Sequence, residues 1–244
     1  MEAAVISEKG IRREMEDTHF LDLNFANKGW AFAGIYDGHG GKLAAKYASE
    51  RLHQIFLQGL LSGFSPQEAF IKGYQLVSEE LKTQDSGTTA VNCLIKARQI
   101  FTANVGDARA IVISDQGLRQ LTVDHRLDNL IERQRIEEMG GQIRYPYAFR
   151  GHQGLMPTRT IGDQYFKNIG IIATPSVSEY KISQDDLILL MACDGLFDVM
   201  TSEEAADFAR RFPQPETLLE VLKTEVLVNR LGSDNLTMIA FSLR

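Results

Sequence analysis

The 244-residue sequence has few cysteines, no long apolar run and no concentrated basic segment. Cys93 and Cys193 both lie inside apolar stretches, which favours buried free thiols in a reducing compartment and leaves a disulfide as the alternative. No stretch reaches about 18 consecutive apolar residues, so no membrane span is predicted. Residues 1–10 lack the basic region and apolar core of a signal peptide. We therefore expect a cytoplasmic protein that has no membrane partner.

The charge balance also limits the function. The formal net charge is −6, which argues against a nucleic-acid partner. A composition of 44% hydrophobic and 24% charged residues is ordinary for a globular protein. No linker-like tract or internal repeat divides the chain, so residues 1–244 are predicted to form one domain. We expect this domain to be a monomer.

The apolar patterns predict both strands and helices. Ser65 and Thr201 each begin a capping box, and a helix over 129–141 should stop at its two glycines. Further helices are expected after Gly41 and over 215–231. The short breaks between strands over 88–122 predict an antiparallel meander. Grouped strands and helices together indicate an α+β layered sandwich. The predicted strands are 30–37, 88–97, 99–107, 109–114, 118–122, 186–194 and 235–243.

Acidic residues recur where apolar segments end. A single aspartate in this position more often forms a turn. Because acidic residues occur at five such places, five unrelated turns explain the pattern less well. If the strand ends gather at one sheet edge, the carboxylates would repel one another unless a cation lay among them. Ligation by oxygen alone is what Mg²⁺ or Mn²⁺ prefers. The acidic residues are Glu16 and Asp17, Asp37, Asp107, Asp194 and Asp198, and Asp234.

An ordered series of short motifs resembles the metal-dependent protein phosphatase family (PPM, type 2C). The resemblance runs from about Gly10 to Thr237 and depends on eight motifs occurring in the family's order. It implies a four-layer αββα sandwich, in which two antiparallel sheets pack face to face with helices outside. It also implies a serine/threonine phosphatase that uses two divalent cations, Mg²⁺ or Mn²⁺. The motifs are GIRREMEDTH, IYDGHGG, DSGTTAV, TANVGDARA, LTVDHR, TRTIGD, MACDGLFDVM and GSDNLTM.

The resemblance assigns a role to each acidic position. Asp37 resembles the carboxylate that bridges both ions, and Asp17 the group that holds metal-bound water. The remaining implied ligands are Asp194 and Asp234 for one ion, Glu16 and the carbonyl of Gly38 for the other, and Asp107 and Asp198 together with Asp194 for a third, weaker ion.

The same resemblance implies the catalytic groups. The two cations would activate a bridging water for in-line attack on phosphoserine or phosphothreonine in a protein. Arg12 would bind the phosphate, and His39 would act as the general acid. The alternative for Arg12 is that it forms a charged surface pair with Arg13. The alternative for His39 is that it is only a polar residue in a turn. Asp163 is expected to brace the structure.

Two features concern specificity. The family's variable flap falls at about 126–155, where Arg144, Tyr145, Tyr147 and Arg150 could contact a phosphoprotein. The family often has Asp-His-Lys-Pro where this chain has Asp-His-Arg-Leu over 124–127, a difference that removes no predicted metal ligand.

Two other classes of protein are alternatives to a metal-dependent phosphatase. A cysteine-dependent phosphatase needs an arginine six positions after its nucleophile, and neither cysteine has one. A catalytically inactive scaffold with the same fold remains the alternative function.

Overall fold

The computed structural model describes residues 2–244. The strands are β1 (Ala3–Glu8), β2 (Thr18–Phe25), β3 (Trp30–Tyr36), β4 (Gly38–His39), β5 (Gly87–Thr88), β6 (Ala90–Lys96), β7 (Gln99–Val105), β8 (Arg109–Ser114), β9 (Leu118–Gln120), β10 (Gln142–Arg144), β11 (Tyr147–Arg150), β12 (Gln153–Leu155), β13 (Ile161–Gly162), β14 (Ser176–Lys181), β15 (Asp186–Ala192) and β16 (Leu236–Ser242). The helices are α1 (Leu43–Leu61), α2 (Pro66–Glu80), α3 (Leu130–Glu138), α4 (Asp194–Phe197), α5 (Ser202–Arg211) and α6 (Pro215–Thr224), together with a 3-10 helix (Gln164–Ile169) and a π-helical turn (Glu225–Asn229).

Two five-stranded antiparallel sheets form the centre of the fold. The first sheet has the order β1-β16-β15-β8-β9, and the second has the order β14-β7-β6-β3-β2. Strand β3 illustrates the layering, because successive side chains of a strand point to opposite faces. Ala33 and Ile35 join the core between the sheets, whereas Phe32 and Tyr36 pack towards α1 and α2. Helices α5 and α6 cover the outer face of the first sheet. The predicted α+β class and αββα layering are confirmed.

The predicted meander over 88–122 is wrong in one respect. Strands β7 and β8 follow each other in sequence but belong to different sheets. Each has a partner from a distant part of the chain, because β14 pairs with β7 and β15 pairs with β8. Both strands are buried on both faces, so each is more stable inside a sheet than in a local hairpin. The turn at Gly106 and Asp107 therefore carries the chain across the sandwich.

The helix caps agree with the sequence. Ser65 and Thr201 both form complete capping boxes, and Asn129 caps α3 by accepting a hydrogen bond from the Ile131 amide. The segment predicted as one helix over 215–231 is α-helical only to Thr224 and then continues as the π-helical turn. Among residues 2–244, no helix is long and apolar enough to cross a membrane.

The chain order brings several strand ends to one edge of the sandwich. Strands β3, β7 and β15 end there, while β2 and β16, which run antiparallel to their neighbours, begin there. The flap lies beside this edge and consists of α3 and the small sheet β10-β11-β12. It has its own apolar core, in which Ile136 and Ala148 pack with Phe166 and Ile171 from beyond residue 155.

Candidate active site

A cleft of about 870 Å³ opens at the edge where these strands end. Its floor carries the acidic side chains, and the flap supplies one wall. The cleft is lined by most of the predicted site residues, namely Arg12, Glu16, Asp37, Gly38, His39, Asp107, Asp194 and Asp234. The topology thus brings together residues that are separated by more than 200 positions in the sequence.

Asp37 lies at the centre of the acidic group, directly after β3. One carboxylate oxygen each of Asp17 and Asp37 and the thiol sulfur of Cys193 lie within 4.8 Å of one another. Burial raises the pKa of Asp37 well above its ordinary value, and the charges of Asp194, Asp17 and Asp107 raise it further. Every charged neighbour that shifts this pKa is another carboxylate, so the site lacks positive charge at its centre.

Asp194 begins α4, immediately after β15. Burial raises its pKa to about 7, and the charge of Asp107 is the next largest cause. Asp37 and Asp194, at the ends of one strand from each sheet, therefore hold protons more tightly than free aspartates do. This is the behaviour expected of carboxylates grouped to bind a cation.

Asp17 provides independent support for a cation at this site. Its side chain is 5% exposed, and neither carboxylate oxygen has a hydrogen-bond partner among residues 2–244. Burial raises the pKa of this carboxyl to about 6. Because buried polar atoms in proteins are nearly always paired, two unpaired oxygens facing other carboxylates fit a divalent cation with oxygen ligands.

Glu16 and Gly38 are held together by short contacts. The Gly41 amide donates to Glu16 Oε1 at 2.6 Å. A Cβ atom on Gly38 would lie 2.6 Å from the Glu16 carbonyl oxygen, so only glycine fits here. Asn235 was not singled out by the sequence, yet its side chain accepts from the Glu16 amide at 2.9 Å and donates to the Glu14 carbonyl. Its position directly after Asp234 was the only available signal.

Arg12 forms an ion pair with Asp234, with 2.6 Å between Nη2 and Oδ2. Both side chains are exposed, at 55% and 39%, so the pair is accessible from the cleft. The residue predicted to bind phosphate therefore contacts a residue predicted to bind metal.

A second arginine lies among the acids assigned to a third ion. Arg126 Nε contacts Asp107 at 2.6 Å, and its Nη2 contacts Asp198 at 2.7 Å and Asp194 at 3.8 Å. Burial raises the pKa of Asp107, and the charge of Arg126 offsets part of that increase. A guanidinium thus occupies the space between the three carboxylates, and a third ion would have to displace it. The third-ion assignment stays a prediction.

His39 follows the acidic centre by two residues and contacts Asp163, which was expected only to brace the structure. Nε2 of His39 lies 2.7 Å from Oδ2 of Asp163. Burial alone would lower the pKa of His39, but the charge and hydrogen bond of Asp163 more than reverse this and raise it. Asp163 therefore favours the protonated form of this imidazole.

The flap residues are divided between the cleft and the outer surface. Tyr147 lines the cleft, whereas Tyr145 is 73% exposed. Arg144 stacks on the ring of Phe149, and Arg150 donates to the Tyr165 carbonyl. Arg144 therefore contacts another flap residue, whereas Arg150 contacts the 3-10 helix that packs beside the flap.

A family model described as protein phosphatase 2C matches residues 1–231. The chain belongs to the protein phosphatase 2C family. Protein phosphatase 2C homolog 1 of Saccharomyces cerevisiae is 30% identical, and the match covers 94% of this chain and 89% of the yeast protein. A probable protein phosphatase 2C of Caenorhabditis elegans is 35% identical over 96% of this chain and 72% of its own length.

Solved structures have the same fold as this protein phosphatase 2C family member. A serine-threonine phosphatase 2C from Toxoplasma gondii superposes with a TM-score of 0.83 at 22% identity, covering 99% of this chain and 94% of that one. A C. elegans sex-determining protein gives a TM-score of 0.87 at 24% identity, covering all of this chain and 65% of that one. At these identities the likeness establishes the fold.

Proposed function

We propose that this protein phosphatase 2C family member hydrolyses phosphoserine and phosphothreonine in proteins, using two divalent cations, Mg²⁺ or Mn²⁺. The observation that carries the proposal is the group of neighbouring carboxylates at the cleft floor, where Asp17 and Asp37 have no balancing positive charge. The ligands would be Asp37 between the ions, Asp194 and Asp234 on one side, and Glu16 with the Gly38 carbonyl on the other.

The cations, when bound, would supply a nucleophile near neutral pH by lowering the pKa of coordinated water. Arg12 would turn from Asp234 to the phosphate, because a guanidinium fork suits two phosphate oxygens. His39 would give a proton to the departing serine or threonine oxygen. Asp17 would hold a water beside the ions through its two unpaired oxygens.

Hydrolysis of p-nitrophenyl phosphate tests the proposal. We expect activity with Mn²⁺ that EDTA abolishes and that Asp194→Ala removes. Asp186→Asn is a matched control, because Asp186 is also buried but lies at the opposite end of β15. A well-folded wild-type protein without metal-dependent turnover would instead favour the inactive scaffold.

Two further variants separate metal binding from proton transfer. Asp37→Asn should weaken Mn²⁺ binding and turnover together, because it removes charge from the bridging position. His39→Gln should slow turnover of a phosphoserine peptide and leave Mn²⁺ affinity, measured by calorimetry, nearly unchanged. Equal losses of affinity in both variants would contradict these separate roles.

The flap would supply contacts to the phosphoprotein. Tyr147 lines the cleft and is the best placed of the predicted contact residues. We expect Tyr147→Ala to raise KM for a phosphopeptide. Replacing Arg144 and Arg150 by Ala tests the arginines: an unchanged kcat/KM for the phosphopeptide would exclude a substrate role for them.

The cellular setting is part of the same proposal. Cys93 and Cys193 are buried free thiols, which suits a reducing compartment such as the cytoplasm. The monomeric state stays a prediction, and sedimentation of the purified chain would test it.

A further inference from the structure

The small sheet β13-β5-β4 lies at the cleft and joins three distant parts of the chain. His39 on β4 is paired with Gly87 on β5, and Gly87 is paired on its other side with Gly162 on β13. Asp163 follows directly after Gly162. The sheet therefore brings His39 and Asp163 to opposite sides of the same glycine.

Gly87 leaves the space that their contact needs. A Cβ atom at this position would lie 2.0 Å from Asp163 Oδ2 and 2.5 Å from Oδ1. The carboxylate thus rests against the bare backbone of β5 and reaches His39 Nε2 at 2.7 Å. Any larger residue at position 87 would push the carboxylate away from the imidazole.

The backbone of Asp163 also departs from ordinary strand geometry. Asp163 has φ 51° and ψ 45°, the left-handed conformation that is unfavourable for an L-residue with a side chain. The strain directs a carboxylate that is 3% exposed towards a single side-chain partner, His39. Unfavourable backbone geometry at a buried carboxylate next to a reactive group is typical of a functional position.

This contact fixes which ring nitrogen faces the cleft. An ionised carboxylate can only accept a hydrogen bond, so Nε2 of His39 carries a proton that it shares with Asp163. The other nitrogen, Nδ1, has no hydrogen-bond partner among residues 2–244 and is accessible to solvent. It belongs to a side chain that is 30% exposed and lines the cleft.

We infer that Asp163 is a positioning residue for His39, orienting the imidazole so that Nδ1 donates the proton to the leaving oxygen. The inference rests on the proposed function. As the bond from phosphorus to the serine oxygen breaks, its electron pair stays on that oxygen and takes the Nδ1 proton. The imidazole is left neutral, with its Nε2 proton still bonded to Asp163, and regains the Nδ1 proton from solvent.

Two substrates that differ in their leaving group separate this role from a structural one. A serine alkoxide needs a proton to depart, whereas p-nitrophenolate leaves readily without one. Asp163→Asn should lower kcat for a phosphoserine peptide by about tenfold or more and leave KM unchanged, with a much smaller effect on p-nitrophenyl phosphate. His39→Gln should show the same pattern, and the double variant should be no slower than His39→Gln alone.

Asp186→Asn is the control for losing a buried carboxylate, because Asp186 is 2% exposed and bonds Tyr180 and Ser183 away from the cleft. It should affect neither substrate. Equal losses on both substrates for Asp163→Asn, or losses that multiply in the double variant, would overturn the inference.

A measurement that needs no turnover covers the case in which Asp163→Asn does not fold. Proton NMR of the metal-free full-length chain should show a downfield imidazole Nε2–H resonance that disappears in His39→Gln. Absence of this resonance in the wild type would overturn the pairing. If the wild type shows the resonance but hydrolyses neither substrate with Mn²⁺, the proposed function fails, and the catalytic role of Asp163 fails with it.

Discussion

Glu132 on α3 allows a stability prediction whose size follows from its contacts. Its side chain is 1% exposed and accepts hydrogen bonds from Arg135, Arg159 and Thr158 at distances from 2.6 to 3.1 Å. Through Arg159 and Thr158 it connects the flap to the segment that leads into β13 and Asp163. Loss of this carboxylate should therefore destabilise the fold and loosen the approach to the cleft.

The pKa of Glu132 gives the magnitude. Burial would raise this pKa, but the hydrogen bonds and charges of the two arginines and the threonine lower it from 4.5 to about 2. At about 1.4 kcal/mol per pKa unit, a difference of this size corresponds to about 3 kcal/mol of folding free energy. Because the pKa is lower in the folded chain, the contribution is complete above about pH 5 and is lost as the pH falls towards 2.

Urea unfolding of wild type and Glu132→Gln tests this reasoning. At pH 7 the variant should be less stable by about 3 kcal/mol, and the difference should shrink to roughly half of that or less at pH 3. Glu137→Gln on the same helix is the control, because its exposed pair with Arg133 contributes little. A Glu132→Gln protein as stable as wild type, or a difference that does not change with pH, would refute the argument.

Three further predictions concern other parts of the structure. Tyr74→Phe should lower the free energy of unfolding by about 1–3 kcal/mol in urea titrations, because the tyrosine hydroxyl has two buried acceptors, at 2.7 and 2.8 Å, that share its single proton. Gly87→Ala should reduce phosphopeptide turnover as Asp163→Asn does, since the added methyl would collide with the carboxylate; unchanged kcat would contradict this. Arg126→Met should destabilise the metal-free protein by about 3 kcal/mol by leaving Asp107 unpaired, and calorimetry should detect additional Mn²⁺ bound in its place.

The strands were predictable to the extent that they are buried on both faces. Strands β3 and β15 are continuous apolar runs and were found within a residue or two of their true bounds. The strands β1, β2 and β14 are only half-buried, so their sequences lack a continuous apolar run and were missed. Pairing partners are set by contacts between distant segments, and for this reason the crossing between β7 and β8 could not be read from a local pattern.

The site divides in the same way. The carboxylates lie at strand ends, a pattern that raised the hypothesis of a shared edge, and the resemblance to the family implied that they form one site. The contacts that adjust their chemistry depend on single side chains that meet across the fold. His39 and Asp163 are 124 positions apart, and Arg126 reaches Asp198 across 72 positions. No sequence motif links residues at either separation, so each contact could be identified only from the three-dimensional structure.

The distribution of positive charge in the cleft bears on how cations would enter it. Arg12 balances Asp234, and Arg126 balances Asp107, so the outer part of the site already carries positive charge. Burial is the main cause that raises the pKa values of Asp17 and Asp37, and the charges that raise them further belong to other carboxylates. One oxygen of Asp17 lies within 4.8 Å of one oxygen of Asp37, so a proton or a small cation shared between them would balance this inner pair. Metal affinity should therefore depend most strongly on these two residues, and cations should compete there with protons near neutral pH.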